Sequence, residues 1–286
     1  MDLKIKTARL SVFSNTFLII IKLIAGLMSG SVSILSEAIH SGIDLIASAI
    51  ALFAVKISSR APDKKHPYGH GKFENISGVV EGLLIFIAAF WIIYEAVHKL
   101  IHPTEIKMFL LAGSVMLVST VVNYFVSKRI YKVAKETDSI ALEADGLHLK
   151  TDVYSSLGVG LGMIFIWITG WHFFDPVFAI IVALFIMKES FDLVSTAFSP
   201  LLDEQVSDDE YLALESLVEQ WTDEKNVSYK NLRSRKSGPT LIIDFTLLVQ
   251  SEMTVLYAHE ICDGIEAQLS SHYSEPLINI HVEPIK

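Results

Sequence analysis

A single cysteine, Cys262, in 286 residues rules out an internal disulfide framework and any metal cage built from thiolates. Charge is also sparse. Asp, Glu, Lys and Arg make up 19% of the chain against 51% hydrophobic residues, and the mean hydropathy is +0.46. That is too apolar for an ordinary soluble domain of this length and points to a multi-span membrane protein. No small-residue cleavage site follows the first apolar run, residues 10–28, so the run is read as a span and not as a removed leader. An HExxH motif is missing as well. The nearest stretch, "HEICD" at residues 259–263, lacks the second histidine. A membrane metallohydrolase would need three protein ligands, an open position for water and a general base, so the enzyme reading is set aside. "GVGLG" at 158–162 has no strand before it, which favours tight helix packing over a nucleotide loop.

Long apolar runs are absent from residues 201–286, and the charge changes there too. Residues 1–200 carry 17 Lys and Arg against 16 Asp and Glu; residues 201–286 carry 6 against 16. This composition break marks a domain boundary near Pro200, with a membrane domain over 1–200 and an acidic domain over 201–286. The acidic tail argues against nucleic acid as a partner and is compatible with cations.

Six segments approach the length of about 20 residues that a bilayer core requires: 10–28, 32–55, 76–97, 108–126, 142–168 and 176–198. The second, fifth and sixth hold polar residues on one side, as helices that turn a stripe away from lipid do. Lys and Arg concentrate at the N-terminus (Lys4, Lys6, Arg9), after the second segment (Arg60, Lys64, Lys65, Lys72) and after the fourth (Lys128, Arg129, Lys132, Lys135), while the alternate loops are poorer. The positive-inside rule therefore predicts a multi-pass protein with both termini in the cytoplasm. In the tail, "SDDEYLALESLVEQW" reads as a helix behind a Ser-Asp cap, and two strand-like runs flank a Gly-Pro turn. "TVLYAHEICDGIEAQL" follows as an amphipathic helix and "PLINIHVEP" as a closing strand. The order αββαβ predicts a small α+β, ferredoxin-like domain. A domain of about 80 residues is marginal alone, so a second copy is expected beside it.

Two spans carry the same fault. "SEAIHSGIDLIAS" places His40 and Asp44 in the second, and "EADGLHLKTD" places His148 and Asp152 in the fifth. Residues four apart share a helix face, with Cβ atoms roughly 5–6 Å apart. Each pair thus offers an imidazole nitrogen and a carboxylate oxygen to one point, and two facing helices supply two of each. That donor set suits a tetrahedral divalent ion of borderline softness, as Zn²⁺ is. A metal also offsets the cost of an intramembrane Asp, about 2.5–3.5 kcal/mol on insertion scales. Helix-packing hydrogen bonds are the alternative reading of each pair.

These residues, together with "HPYGHGKFE" after the second span and the αββαβ tail, carry a resemblance. The chain resembles the cation diffusion facilitator family, zinc-transporter-like metal exporters, over nearly its whole length. The resemblance implies a homodimer in the cell membrane that exports a divalent metal from the cytoplasm in exchange for protons. It implies no organic cofactor. His40, Asp44, His148 and Asp152 fall on the family's transport-site positions, and His/Asp on both helices favours Zn²⁺, with Co²⁺, Cd²⁺ and Fe²⁺ as further ions. Mn²⁺ or Fe²⁺ as the physiological substrate is the alternative within the family, and a membrane metal sensor without transport is the alternative outside it. Asp63, His66 and His70 match a second metal site in the loop. His259, His281 and Glu283 resemble the cytoplasmic metal site, although Lys230 and Thr246 stand where many zinc members carry histidines; Asp244 is a further candidate ligand there. Lys72 and Asp203 match a charge pair at the membrane–cytoplasm junction. Proton exchange also has a physical basis, because ligands shed protons to bind metal and histidine titrates near neutrality. Two further residues stand out in the spans: Glu81, read as lining a cytoplasmic cavity with a proton path as alternative, and Lys22, read as snorkelling or pairing with an acid.

Overall fold

The structure is a computed structural model and describes residues 3–29, 32–101, 109–169 and 174–285. The chain divides into two compact units, Met1–Phe198 and Ser199–Lys286. Proline placement punctuates it. Pro62 and Pro67 sit in the link after the second helix, Pro176 in the first turn of the sixth, and Pro200 just after it. Pro239 makes a hairpin turn, Pro276 precedes the last strand, and none of these falls where a helix interior would lose a hydrogen bond.

Among its described residues the first unit is helical: α1 (Leu3–Ser29), α2 (Val32–Ser58), α3 (Lys72–Ile101), α4 (Phe109–Thr137), α5 (Ile140–Thr169) and α6 (Phe174–Phe198). Two stretches, Leu3–Ala25 and Lys72–His98, are long and apolar enough on their own to cross a membrane, with mean hydropathies of 1.6 and 2.3. The first helix begins well before the apolar run because its polar residues find partners inside the unit. Lys4 Nζ lies 2.9 Å from Glu74 Oε1, and the Thr7 hydroxyl donates to the Leu3 carbonyl.

α1 packs on α2, α3 on α6, and α5 on both α4 and α6. The α3–α6 approach is close: a Cβ at Gly82 would sit 2.6 Å from Val194 Cγ2, and one at Gly158 on α5 would sit 2.8 Å from Val182 Cγ2. One apolar cluster joins α1, α2, α4 and α5 through Ala8, Val55, Ile130, Val133, Leu142 and Leu149. Another joins α3, α5 and α6 through Ile85, Ala144, Leu147, Ile186 and Leu193. The outer surface is the reverse of a soluble protein's, with Phe13, Phe53, Phe90, Trp91, Phe125 and Phe191 exposed.

Two sequence expectations are corrected here. Lys22 does not snorkel outward, the first of its two readings; it is 7% exposed and donates to Ser41 Oγ at 2.7 Å. Glu81 does not line an open cavity; it is fully buried and accepts from Ser77 Oγ at 2.8 Å.

The second unit opens with a short 3-10 turn, Ser199–Leu202, followed by α7 (Asp208–Glu224), β1 (Ser228–Ser237), β2 (Thr240–Val249), α8 (Val255–His272) and β3 (Leu277–Pro284). Ser207 caps α7 by accepting from the Glu210 N–H, with Asp208, Asp209 and Glu210 in the first turn where the helix dipole favours acid. Thr254 caps α8 in the same way through Tyr257 N. β1 and β2 are antiparallel around a two-residue loop in which Gly238 takes φ +59°. Pro239 cannot take a positive φ, which leaves the hairpin turn with glycine first. α8 then crosses over so that β3 runs parallel to β2, giving the order β1-β2-β3. The core, including Leu214, Val218, Ile243, Leu247, Ile265 and Leu269, lies between the sheet and the two helices.

Candidate metal centres

α2 and α5 lie side by side in the first unit, and their polar residues meet at that seam. One ligand atom from each of Asp44, His148 and Asp152 lies within 4.8 Å of the other two. His148 Nε2 is 3.0 Å from Asp44 Oδ1, and both side chains are nearly buried. Ligands at Zn²⁺ bond lengths in a tetrahedron are about 3.3 Å apart, so small side-chain shifts turn this arrangement into three corners of such a site. His40 stands one turn before Asp44 on α2, but its side chain lies outside the described residues.

A second layer of polar groups holds the three in place. Ser48, one turn after Asp44, donates to Asp145 Oδ1 at 3.0 Å, and Ser11 donates to the same oxygen at 2.9 Å. Asn15 Nδ2 reaches Ser48 Oγ at 2.5 Å and the Asp44 carbonyl at 3.4 Å. This network ties α1, α2 and α5 together within one turn of the ligands. From α4, Asn123 Nδ2 donates to Asp152 Oδ2 at 3.1 Å. Sequence reasoning missed Asn15, Ser48, Asp145 and Asn123. Ser48 and Asn123 are lone polar residues in apolar runs, which is itself the signal that could have found them; Asn15 and Asp145 sit among other polar residues and carry no such mark.

The link between α2 and α3 gathers a second group. Ligand atoms of Asp63, His66 and His70 also lie within 4.8 Å of one another. Asp63 Oδ1 accepts from the backbone N–H groups of His66 and Lys65, at 2.7 and 2.8 Å, in an Asx-type turn. The His66 N–H bond is the main reason its carboxyl is held below the ordinary value of 3.8, so it is ionised at neutral pH. His66 Nδ1 is 3.4 Å from Asp63 Oδ1 and His70 Nε2 is 3.3 Å from Asp63 Oδ2. The Nδ1 atoms of both histidines are buried and make no hydrogen bond. Two imidazoles with buried nitrogens that make no hydrogen bond, beside a fixed carboxylate, are a donor set that fits a divalent metal.

The tail residues are more dispersed. His259, on α8, is exposed and pairs with Asp263 at 3.7 Å. His281 and Glu283 on β3 are 3.5 Å apart, and Glu283 also takes the Lys230 ammonium at 2.6 Å. Lys230 faces Thr246 across the β1–β2 ladder, and Thr246 faces His281 across β2–β3. Asp244 accepts from Asn279 Nδ2 at 3.1 Å beside a shallow hollow of about 340 Å³ that Arg233 also lines. Among the described residues, no three metal-ligating side chains of the tail converge on one point. Asp203 pairs with Arg235 at 2.7 Å, within the second unit, while Lys72 opens α3 in the first.

Comparison with known proteins gives the same division. The family model for the cation efflux transmembrane domain matches residues 8–202, and the one for the cation efflux protein cytoplasmic domain matches residues 206–285. The chain is 32% identical over 266 residues to an uncharacterised transporter of Synechocystis, covering 93% of this chain and 86% of that one. It is 29% identical over 286 residues to the cation-efflux pump FieF of Shewanella oneidensis, covering 100% and 96%. It is 30% identical over 274 residues to an uncharacterised transporter of Methanocaldococcus jannaschii, covering 96% of each.

Proposed function

The chain belongs to the cation efflux family of membrane transporters, and from that premise we propose that it exports Zn²⁺ from the cytoplasm in exchange for protons. The observation that carries the proposal is the meeting of Asp44, His148 and Asp152 at the α2–α5 seam. With His40 as the fourth ligand, these residues form a tetrahedral His₂Asp₂ site in the bilayer, and the ion is the substrate. Metal loading displaces protons from the imidazoles and carboxylates, and unloading takes them back, so one site serves both species.

In this reading all six helices of the first unit span the membrane. Each is 25–30 residues long, and 25 residues of helix rise about 38 Å, enough for a bilayer core of about 30 Å with tilt. Both termini are cytoplasmic, and the tail joins two copies into a homodimer. Asp63, His66 and His70 hold a second metal. The tail residues His259, His281 and Glu283 bind metal only weakly or share it with the partner copy, because the Lys230 ammonium already occupies Glu283.

The test is metal-dependent pH change in proteoliposomes across Zn²⁺, Mn²⁺, Fe²⁺, Co²⁺ and Cd²⁺. The wild type should release protons most strongly with Zn²⁺, and Asp44→Ala and His148→Ala should each abolish the signal. Wild-type flux from both variants would overturn the site. Zinc flux with no pH change would overturn the proton exchange alone.

A further inference from the structure

One contact to the candidate ion site comes from a helix that carries none of its ligands. Asn123 sits in the apolar run 120–126 of α4 and is 5% exposed. Its Nδ2 donates to Asp152 Oδ2 at 3.1 Å, while its own Oδ1 is buried and makes no hydrogen bond. Placing an amide among apolar side chains with half its hydrogen-bonding capacity unmet is unfavourable for packing alone. An apolar residue would serve α4 better unless the N–H on Asp152 has a use.

We propose that Asn123 is a positioning residue that sets cation specificity by holding Asp152 to one-oxygen coordination. This rests on the transport-site reading above. The Asn123 N–H occupies Oδ2, so Asp152 presents Oδ1 to the ion. A carboxylate limited to one oxygen fits a small ion with four ligands, as Zn²⁺ prefers. A carboxylate free to chelate through both oxygens raises the coordination number and suits larger or harder ions, which take six or more oxygen contacts. The amide thereby excludes a binding mode without touching the ion. Because it carries no charge, it does this without repelling the cation.

The experiment measures zinc, cadmium and manganese transport by competition in proteoliposomes for the full-length wild type, Asn123→Ala, Asn123→Leu, Asn123→Gln and His148→Ala. Zinc binding in detergent is measured on the same preparations. Asn123→Ala and Asn123→Leu are expected to weaken zinc affinity about 10–100-fold, as loss of a hydrogen bond to a ligand does. They should also shift the preference for zinc over cadmium and manganese by about tenfold in the same direction. The leucine variant keeps the number and branching of the side-chain heavy atoms and so separates a lost donor from a cavity. Asn123→Gln keeps the amide donor and should restore much of the preference. An equal loss for all three metals, or no change in the ratio, would overturn the proposal, since a packing role alone lowers every flux together. If His148→Ala also binds zinc like the wild type, the transport-site reading fails first; if it does not, only the role of Asn123 fails.

Discussion

At the scale of single residues, the helical unit is organised by side chains that would be misplaced in lipid without one another. Asp44, Asp145, His148, Ser48 and Asn15 are buried, and every one of them contacts another polar group. The i,i+4 spacing was enough to nominate Asp44, His148 and Asp152, because a helix of 3.6 residues per turn aligns residues four apart whatever surrounds it. Asn15, Ser48, Asp145 and Asn123 could not be found that way, since their partners lie on other helices and only packing brings them together. The single thiol makes a separate point. Cys262 faces the tail core, 6% exposed, and burial, then the charges of Glu266 and Asp263, push its pKa up. Thiolate is the reactive form, so folded protein should resist maleimide labelling at neutral pH, while denatured protein should label fully. Labelling of the native chain at the rate of a free thiol would show that α8 does not pack as described.

At the scale of elements, much of the tail could be read from caps and turns, because Ser207, Thr254 and the Gly-Pro loop are local signals with local causes. The parallel pairing of β3 with β2 is non-local; the helix between the two strands allows it, but the register is set by packing. Helix ends in the first unit were less legible for a similar reason: α1 and α3 extend past their apolar runs because Lys4 and Glu74 pair with each other. Glu74 is fully buried and also accepts from the hydroxyls of Ser58 and Ser139. One carboxylate therefore joins the start of α1, the end of α2, the start of α3 and the cap of α5. Removing it takes one shared acceptor from Lys4, Ser58 and Ser139 at once, and breaking a buried charged pair typically costs about 3–5 kcal/mol. Glu74→Ala should lower the thermal unfolding midpoint in detergent markedly, whereas Glu136→Ala, which removes an exposed α4 pair with Lys132, should leave it almost unchanged. Equal midpoints for the two variants would show that Glu74 does not join these helices. The close approach at Gly82 makes a second test of the same kind, since Gly82→Val places methyl groups where Val194 already lies and should separate α3 from α6.

At the scale of the whole molecule, the question is what the tail adds to a helical unit that already holds the candidate transport site. The tail has its own apolar core, yet it leaves other apolar side chains uncovered. Val255, Leu256 and Tyr257 at the start of α8 are 87%, 71% and 49% exposed, and Leu277 and Val282 on the edge strand β3 are exposed as well. Small domains bury a low fraction of their surface, and an uncovered apolar patch on one of them is best satisfied by a second copy. The tail's excess of acid opposes that contact, since two such tails repel, and the opposition weakens as salt screens them. Full-length protein in detergent should therefore have the mass of two chains by light scattering, with association tightening as salt rises. Val255→Asp combined with Leu256→Asp adds charge to the patch without touching the core, so it should yield single chains while circular dichroism stays that of the wild type. A wild-type protein that runs as a single chain at every salt concentration would remove the dimer from the proposed mechanism and leave the α2–α5 site to act within one copy.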